Sequence, residues 1–263
     1  MIKGSSDAND DANFGDGEID RNMKIMNGQA RQIRDYPYMV SIQRPNPRAP
    51  NVSSQAHHCG GSLIGLEWVL SAAHCFFHPN GKREDASLWR VMVGSTFWKL
   101  GGPNDTLGQT RFIKEVHIAP NYELEGDEDV ALVRLESPVT LNANVHPIEL
   151  WTKIEHSQMQ KVEINGWGRV NSTSNRNSQK LLGYQTRIMK PREGEPECEY
   201  RKIYCFRANL NGSRSSDCQG DSGGPIAAKL TKQGVERWVQ VSMVNYGMAC
   251  DPGYPPRETQ GMQ

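Results

Sequence analysis

The sequence predicts an all-β protein built from antiparallel barrels or sandwiches. Short runs rich in β-branched, aromatic and other apolar residues occur at 38–42, 62–64, 68–70, 90–93, 130–135, 161–164 and 238–244, each bounded by Gly, Pro or polar turn residues. No stretch holds the 3.6-residue apolar period of a long amphipathic helix. The runs also follow one another without the helical segments that βαβ units require. The polar stretches at 43–57, 78–87 and 100–108 read as exposed connections.

A chain of 263 residues accommodates one large all-β domain or two smaller ones, and 37% hydrophobic residues suffice for a packed core. Thirty basic and thirty acidic residues cancel, so no overall field favours nucleic acid or an anionic membrane surface. No apolar run approaches the roughly 18 residues of a membrane span. The six cysteines permit complete pairing in an oxidising compartment. Asn51, Asn104, Asn171 and Asn211 each open an Asn-x-Ser/Thr glycosylation pattern, which together with the cysteines points to secretion. Residues 1–24 contain no apolar core of a signal peptide.

That leader is rich in Asp, Asn and Gly and has too few apolar side chains to order itself. Asp7, Asn9, Asp11 and Glu18 fall at offsets like those of a calcium-binding loop. Ala12 stands where the turn glycine is needed and no helices flank the loop, so a solvated, disordered leader is the expectation.

The chemistry concentrates in three segments. The run Asp217-Cys218-Gln219-Gly220-Asp221-Ser222-Gly223-Gly224-Pro225 brings a hydroxyl, a carboxylate and three glycines into one loop. Upstream lie Ser71-Ala72-Ala73-His74-Cys75 and Asp127-Glu128-Asp129-Val130-Ala131-Leu132. A serine hydroxyl is a poor nucleophile until a positioned base takes its proton, and neutral imidazole suits that role near physiological pH. His74 is therefore the candidate base for Ser222, and Asp129 the candidate that fixes the imidazole tautomer. The backbone N–H groups of Gly220 and Ser222 are candidates for an oxyanion hole.

In order and context these segments resemble the trypsin/chymotrypsin family of serine endopeptidases, over residues 25 to about 256. The resemblance implies two antiparallel six-stranded Greek-key barrels with the active site in the cleft between them. It divides the chain into the leader, 1–24, and a protease domain, 25–263. It implies disulfides Cys59–Cys75, Cys198–Cys205 and Cys218–Cys250. It sets these against a zinc site, which His57, His58, Cys59, His74, Cys75 and His78 suggest by ligand type alone. Asn165-Gly166-Trp167-Gly168 matches the family as well, and on the sequence supports only the fold. Ile25-Met26-Asn27-Gly28, preceded by Lys24, resembles the family's mature N-terminus. A cut after Lys24 would free an α-amino group to insert beside Asp221, making the uncut chain a zymogen. The implied enzyme needs no cofactor and no metal.

The sequence departs from the family pattern at the specificity pocket. Ser216 stands where trypsin-like members carry aspartate, as in chymotrypsin-like members; Asp217 supplies a displaced carboxylate that favours Lys or Arg substrates if it lines the pocket, and if it points outward Ser216 leaves an apolar slot for aromatic or Leu residues. Asn245, Tyr246, Gly247 and Pro256 form its remaining wall and floor, with Asn245 placed to hydrogen-bond Asp129. Nothing after Pro256 resembles the family's terminal helix, and Ser95 and Gly108 stand where calcium-binding members carry glutamates. Expected partners are protein or peptide substrates, an activating protease and protein protease inhibitors, for a secreted monomer with no nucleic-acid or membrane ligand. The alternatives are a non-catalytic protease homologue acting as a binding module and a cytoplasmic zinc protein with free thiols.

Overall fold

The computed structural model describes residues 28–45, 55–99, 106–124, 128–151, 161–170, 176–188, 206–207, 217–232 and 234–245. Among them the chain is almost wholly β. The strands are β1 (Gln29–Ala30), β2 (Met39–Pro45), β3 (Gln55–Leu63), β4 (Trp68–Ser71), β5 (Arg90–Val93), β6 (Gln109–Ile118) and β7 (Ala131–Leu135). They continue with β8 (Glu149–Leu150), β9 (Val162–Gly166), β10 (Leu182–Ile188), β11 (Phe206–Arg207), β12 (Pro225–Lys232) and β13 (Val235–Met243). Strands β2–β3–β4–β7–β6–β5 close into a barrel, and a seven-stranded sheet runs β1–β10–β9–β12–β13–β8 with β11 beside β10. The closed six-stranded barrel and the second sheet together are the architecture the sequence implied.

The barrel interior is filled by alternate residues of its strands. Val40, Ile42, Leu63, Val69, Val91, Val133 and Leu135 pack with Phe76 in one buried cluster, as the period-two pattern of a half-buried strand requires. A second cluster beneath the sheet includes Val162, Ile164, Tyr184, Ile226 and Val241. A third joins the two halves, with Tyr38 and Met39 of the barrel side against Trp167 and Ala227 of the sheet side. Ser62 Oγ also donates across this junction to Gln240 Oε1 at 2.5 Å. The barrel and the sheet are thus held against each other by packed side chains.

Two sequence expectations change. The connection expected at 43–57 is partly strand, because β2 runs on to Pro45 and β3 begins at Gln55. Strands β6, β10 and β12 were not anticipated. In β6 the register shifts between Ile113 and Glu115, and in β12 between Ile226 and Ala227, so neither keeps a clean alternation along its length. The expected glycosylation positions, the leader with Lys24 and Ile25, Cys198, Cys205, and the chain from 246 onward lie outside the described residues.

Candidate active site

His74 sits on a single 3-10 turn, Ala73–Phe76, that follows β4 directly. The turn is anchored by what it buries. Cys75 is bonded to Cys59 on β3, and Phe76 stacks on Trp89 with ring centroids 5.4 Å apart. His58 donates from Nε2 to the Cys75 carbonyl at 3.0 Å, and burial pushes its imidazole down to about 3, so it stays neutral. Ala73, Cys75 and Phe76 face inward while the imidazole of His74 emerges, about one third exposed. Cys59, His74 and Cys75 come within 4.8 Å of one another, but the disulfide removes both thiolates, which excludes the zinc reading at this cluster.

Asp129 meets His74 twice. Its Oδ1 accepts the His74 backbone N–H at 2.7 Å, and its Oδ2 accepts the Nδ1–H at 2.6 Å. A carboxylate can only accept, so the Nδ1 proton is fixed and Nε2 is left unprotonated, with the disulfide sulfur of Cys75 3.9 Å away and unable to donate to it. Asp129 is presented from a tight turn ahead of β7: Glu128 takes φ 59°, and the Val130 N–H reaches the Glu128 carbonyl at 2.7 Å. Among the described residues no hydrogen bond joins Asn245 to Asp129, whose two carboxylate oxygens are turned to His74.

The Ser222 loop arrives from the other half of the molecule. Gly60 of β3 donates to the Ser222 carbonyl at 2.8 Å, and Gly223 donates to Val244, beyond the end of β13, at 2.6 Å. The Ser222 carbonyl also lies 3.9 Å from Cys75 Sγ, next in the chain to His74. Barrel and sheet therefore both pin the loop beside the His74 turn. Among the described residues no hydrogen bond joins the Ser222 hydroxyl to His74. The Asp221 N–H is engaged by the Cys218 carbonyl at 2.9 Å, whereas the N–H groups of Gly220 and Ser222 donate to no described backbone carbonyl. Gly220 has φ +102°, a conformation that L side chains rarely adopt.

Asp221 is 1% exposed. Its Oδ1 accepts from Gly168 N–H at 2.8 Å and its Oδ2 from Cys218 N–H at 2.9 Å. A Cβ on Gly166 or Gly168 would fall on this carboxylate. The Asn165-Gly166-Trp167-Gly168 motif, which the sequence tied only to the fold, is thus the cradle of Asp221. Burial pushes the Asp221 carboxyl up to about 7, with the nearby Asp217 charge adding to the rise and the two amide bonds opposing it.

This shift has a definite sign. A native carboxyl above its unfolded value holds a proton that the unfolded chain has lost, so stability falls as pH rises between about 4 and 7. For the uncut chain the fall attributable to Asp221 is roughly 4 kcal/mol. Urea unfolding from pH 4.5 to 7.5 should show that component in the parent chain and lose it in Asp221→Asn. Parallel profiles for the two chains would contradict the assignment.

Sequence reading missed the role of His57. It is 4% exposed and bridges two halves, with Nε2 2.9 Å from the Gly220 carbonyl and Nδ1 2.8 Å from Ser41 Oγ. The carbonyl only accepts, so Nε2 carries the proton and Ser41 donates to Nδ1. Burial pushes the imidazole down to about 4, consistent with this neutral tautomer. Asn177 donates to the His57 carbonyl at 2.8 Å. Both anchors steady the turn that carries Gly220.

Of the specificity-pocket candidates, Ser216, Tyr246, Gly247 and Pro256 lie outside the described residues. Asp217 is 6% exposed and accepts the Tyr184 hydroxyl at 3.1 Å, so it faces the interior and not solvent. Its neighbour Cys218 is disulfide-bonded.

The sequence model of the trypsin family matches residues 25–252. The chain belongs to the trypsin family. Among similar proteins, clotting factor C of Tachypleus tridentatus is 28% identical over 235 residues, covering 85% of this chain and 22% of that protein. Limulus clotting factor C of Carcinoscorpius rotundicauda gives the same identity and coverage. Hypodermin-A of Hypoderma lineatum is 28% identical over 240 residues, covering 88% of this chain and 81% of that protein. This trypsin-family chain thus spans about a fifth of the clotting factors' length. No helix among its described residues is long and apolar enough to cross a membrane.

Proposed function

We propose that this chain is a secreted serine endopeptidase, made as a proenzyme and activated by cleavage after Lys24. The observation that carries the reading is the double contact of Asp129 with His74, which leaves Nε2 free beside the loop of Ser222. Ser222 Oγ attacks the peptide carbonyl carbon while its proton passes to His74 Nε2. Asp129 stabilises the imidazolium, and the N–H groups of Gly220 and Ser222 take the oxyanion. His74 then protonates the leaving amine, and the C–N bond breaks to leave an acyl-enzyme. Water, deprotonated by His74, releases the acid and restores Ser222. The two disulfide-bonded cysteine sites support an oxidising, extracellular setting.

Activation rests on Asp221. A buried carboxylate held by two amides gains most from a cation, and a new α-amine at Ile25 supplies one. Specificity rests on the charge of Asp217: with its carboxylate on the pocket wall, a Lys or Arg side chain would gain a charge-assisted partner. A peptide-library profile of the chain before and after cleavage at Lys24 tests both. The cleaved chain should cut after Lys and Arg, and Lys24→Gln should stay nearly inactive. Full activity of Lys24→Gln, or cleavage confined to aromatic residues, would overturn the respective part.

A further inference from the structure

A cavity of about 520 Å³, with neither His74 nor Ser222 in its lining, lies between the segment following β1, the turn after β5, and the loop before β10. Its charged lining is Arg31, Arg34, Asp35 and Lys180, with Gln32, Thr96 and Asn144 as polar neighbours. Three cations thus face one carboxylate. Arg31 lies 3.4 Å from Glu163 and over the Tyr36 ring, and its Nε is buried without a hydrogen-bond partner among the described residues. Lys180 sits over the Phe97 ring at 5.7 Å. Neither Arg34 nor Lys180 forms an ion pair with a described residue.

We propose that this cavity holds the chain's own acidic leader. Residues 1–24 carry Asp7, Asp10, Asp11, Asp16, Glu18 and Asp20 against Lys3, Arg21 and Lys24. The leader enters the domain at the cavity itself, because Ala30 is part of its wall. From Asp20 to Ala30 the chain reaches at most roughly 33–36 Å, ample for the acidic stretch to fold back. A tether this short sets an effective concentration of about millimolar, at which a few screened charge contacts suffice. Electrostatic docking also needs little apolar surface, and the leader has few apolar side chains. Once the bond after Lys24 is cut the tether is lost, and with it the effective concentration that holds the leader in the cavity, so the leader leaves; this consequence rests on the cleavage proposed above, whereas the docking does not.

Zero-length carbodiimide cross-linking of the intact chain, followed by tryptic mapping, tests the docking. All six leader carboxylates fall in one fragment, 4–21, and an amide to Lys180 blocks cleavage there and joins it to fragment 177–187. This link should exceed those to the exposed Lys82, Lys114 and Lys229. It should fall at least fivefold in Arg34→Ala and in 0.5 M salt. Leader links spread evenly over the lysines, or unchanged in Arg34→Ala, would overturn the proposal. Because the readout is a covalent link, loss of protease activity leaves it untouched.

Discussion

Ser222→Ala is expected to lower kcat of the cleaved chain about 10⁵–10⁶-fold, since removing the nucleophile disables base and orienter together. The substitution should leave the fold alone. The Ser222 hydroxyl is partly buried but makes no hydrogen bond to a described residue, and the loop is held by backbone bonds from Gly60 and to Val244. Stability within about 0.5 kcal/mol of the parent is therefore expected. Thermal unfolding and kcat measured on the same preparation separate the two effects. A Ser222→Ala chain that unfolds early would remove the catalytic reading of the lost turnover, and one that keeps its turnover would end the mechanism.

The second large effect is Asp129→Asn. The backbone N–H of His74 needs an acceptor and will hold the amide oxygen where Oδ1 now sits. The amide NH₂ then faces His74 Nδ1, which must become the acceptor. The imidazole is forced into the tautomer with its proton on Nε2, and it can no longer take a proton from Ser222. A loss of about 10⁴-fold in kcat near neutral pH is expected, as a wrongly protonated imidazole causes in triads of this kind. The loss should shrink as pH rises and hydroxide removes the proton instead. Retention of normal kcat at neutral pH would show that Asp129 does not set the tautomer.

Much of the architecture was legible from short apolar runs. Residues 90–93 coincide with β5, and the runs at 68–70 and 130–135 lie within one residue of β4 and β7. Hidden strands are those whose pattern is broken. In β6 the bulge between Ile113 and Glu115 leaves Glu115 and Val116 both half-buried, and the large apolar Phe112 stands on the outer face at 38% exposure; β12 opens on Pro225 and buries Ile226, Ala227 and Ala228 in succession. Motifs singled out His74 and Ser222 together with nearby cysteines, Cys75 and Cys218, and Asp129 without one; the fold brings Asp129 onto His74 and ties the Ser222 loop to the strand that carries Cys59. Long-range polar contacts were not legible. His57 and Gly220 stand 163 residues apart, and the cradle of Asp221 lies 53 residues upstream of it. The spaced glycines at 166 and 168 were the available signal, since each must lack a Cβ for the carboxylate to fit.

The competing possibility is a protease fold that binds without cutting, and the absence of a hydrogen bond between Ser222 and His74 is the feature that favours it. Covalent labelling by a fluorophosphonate decides between the two directly. After cleavage at Lys24, the proposed mechanism predicts a single phosphonyl adduct mapped to Ser222, and none in Ser222→Ala. A correctly cleaved, folded chain that takes no label at Ser222 would contradict it.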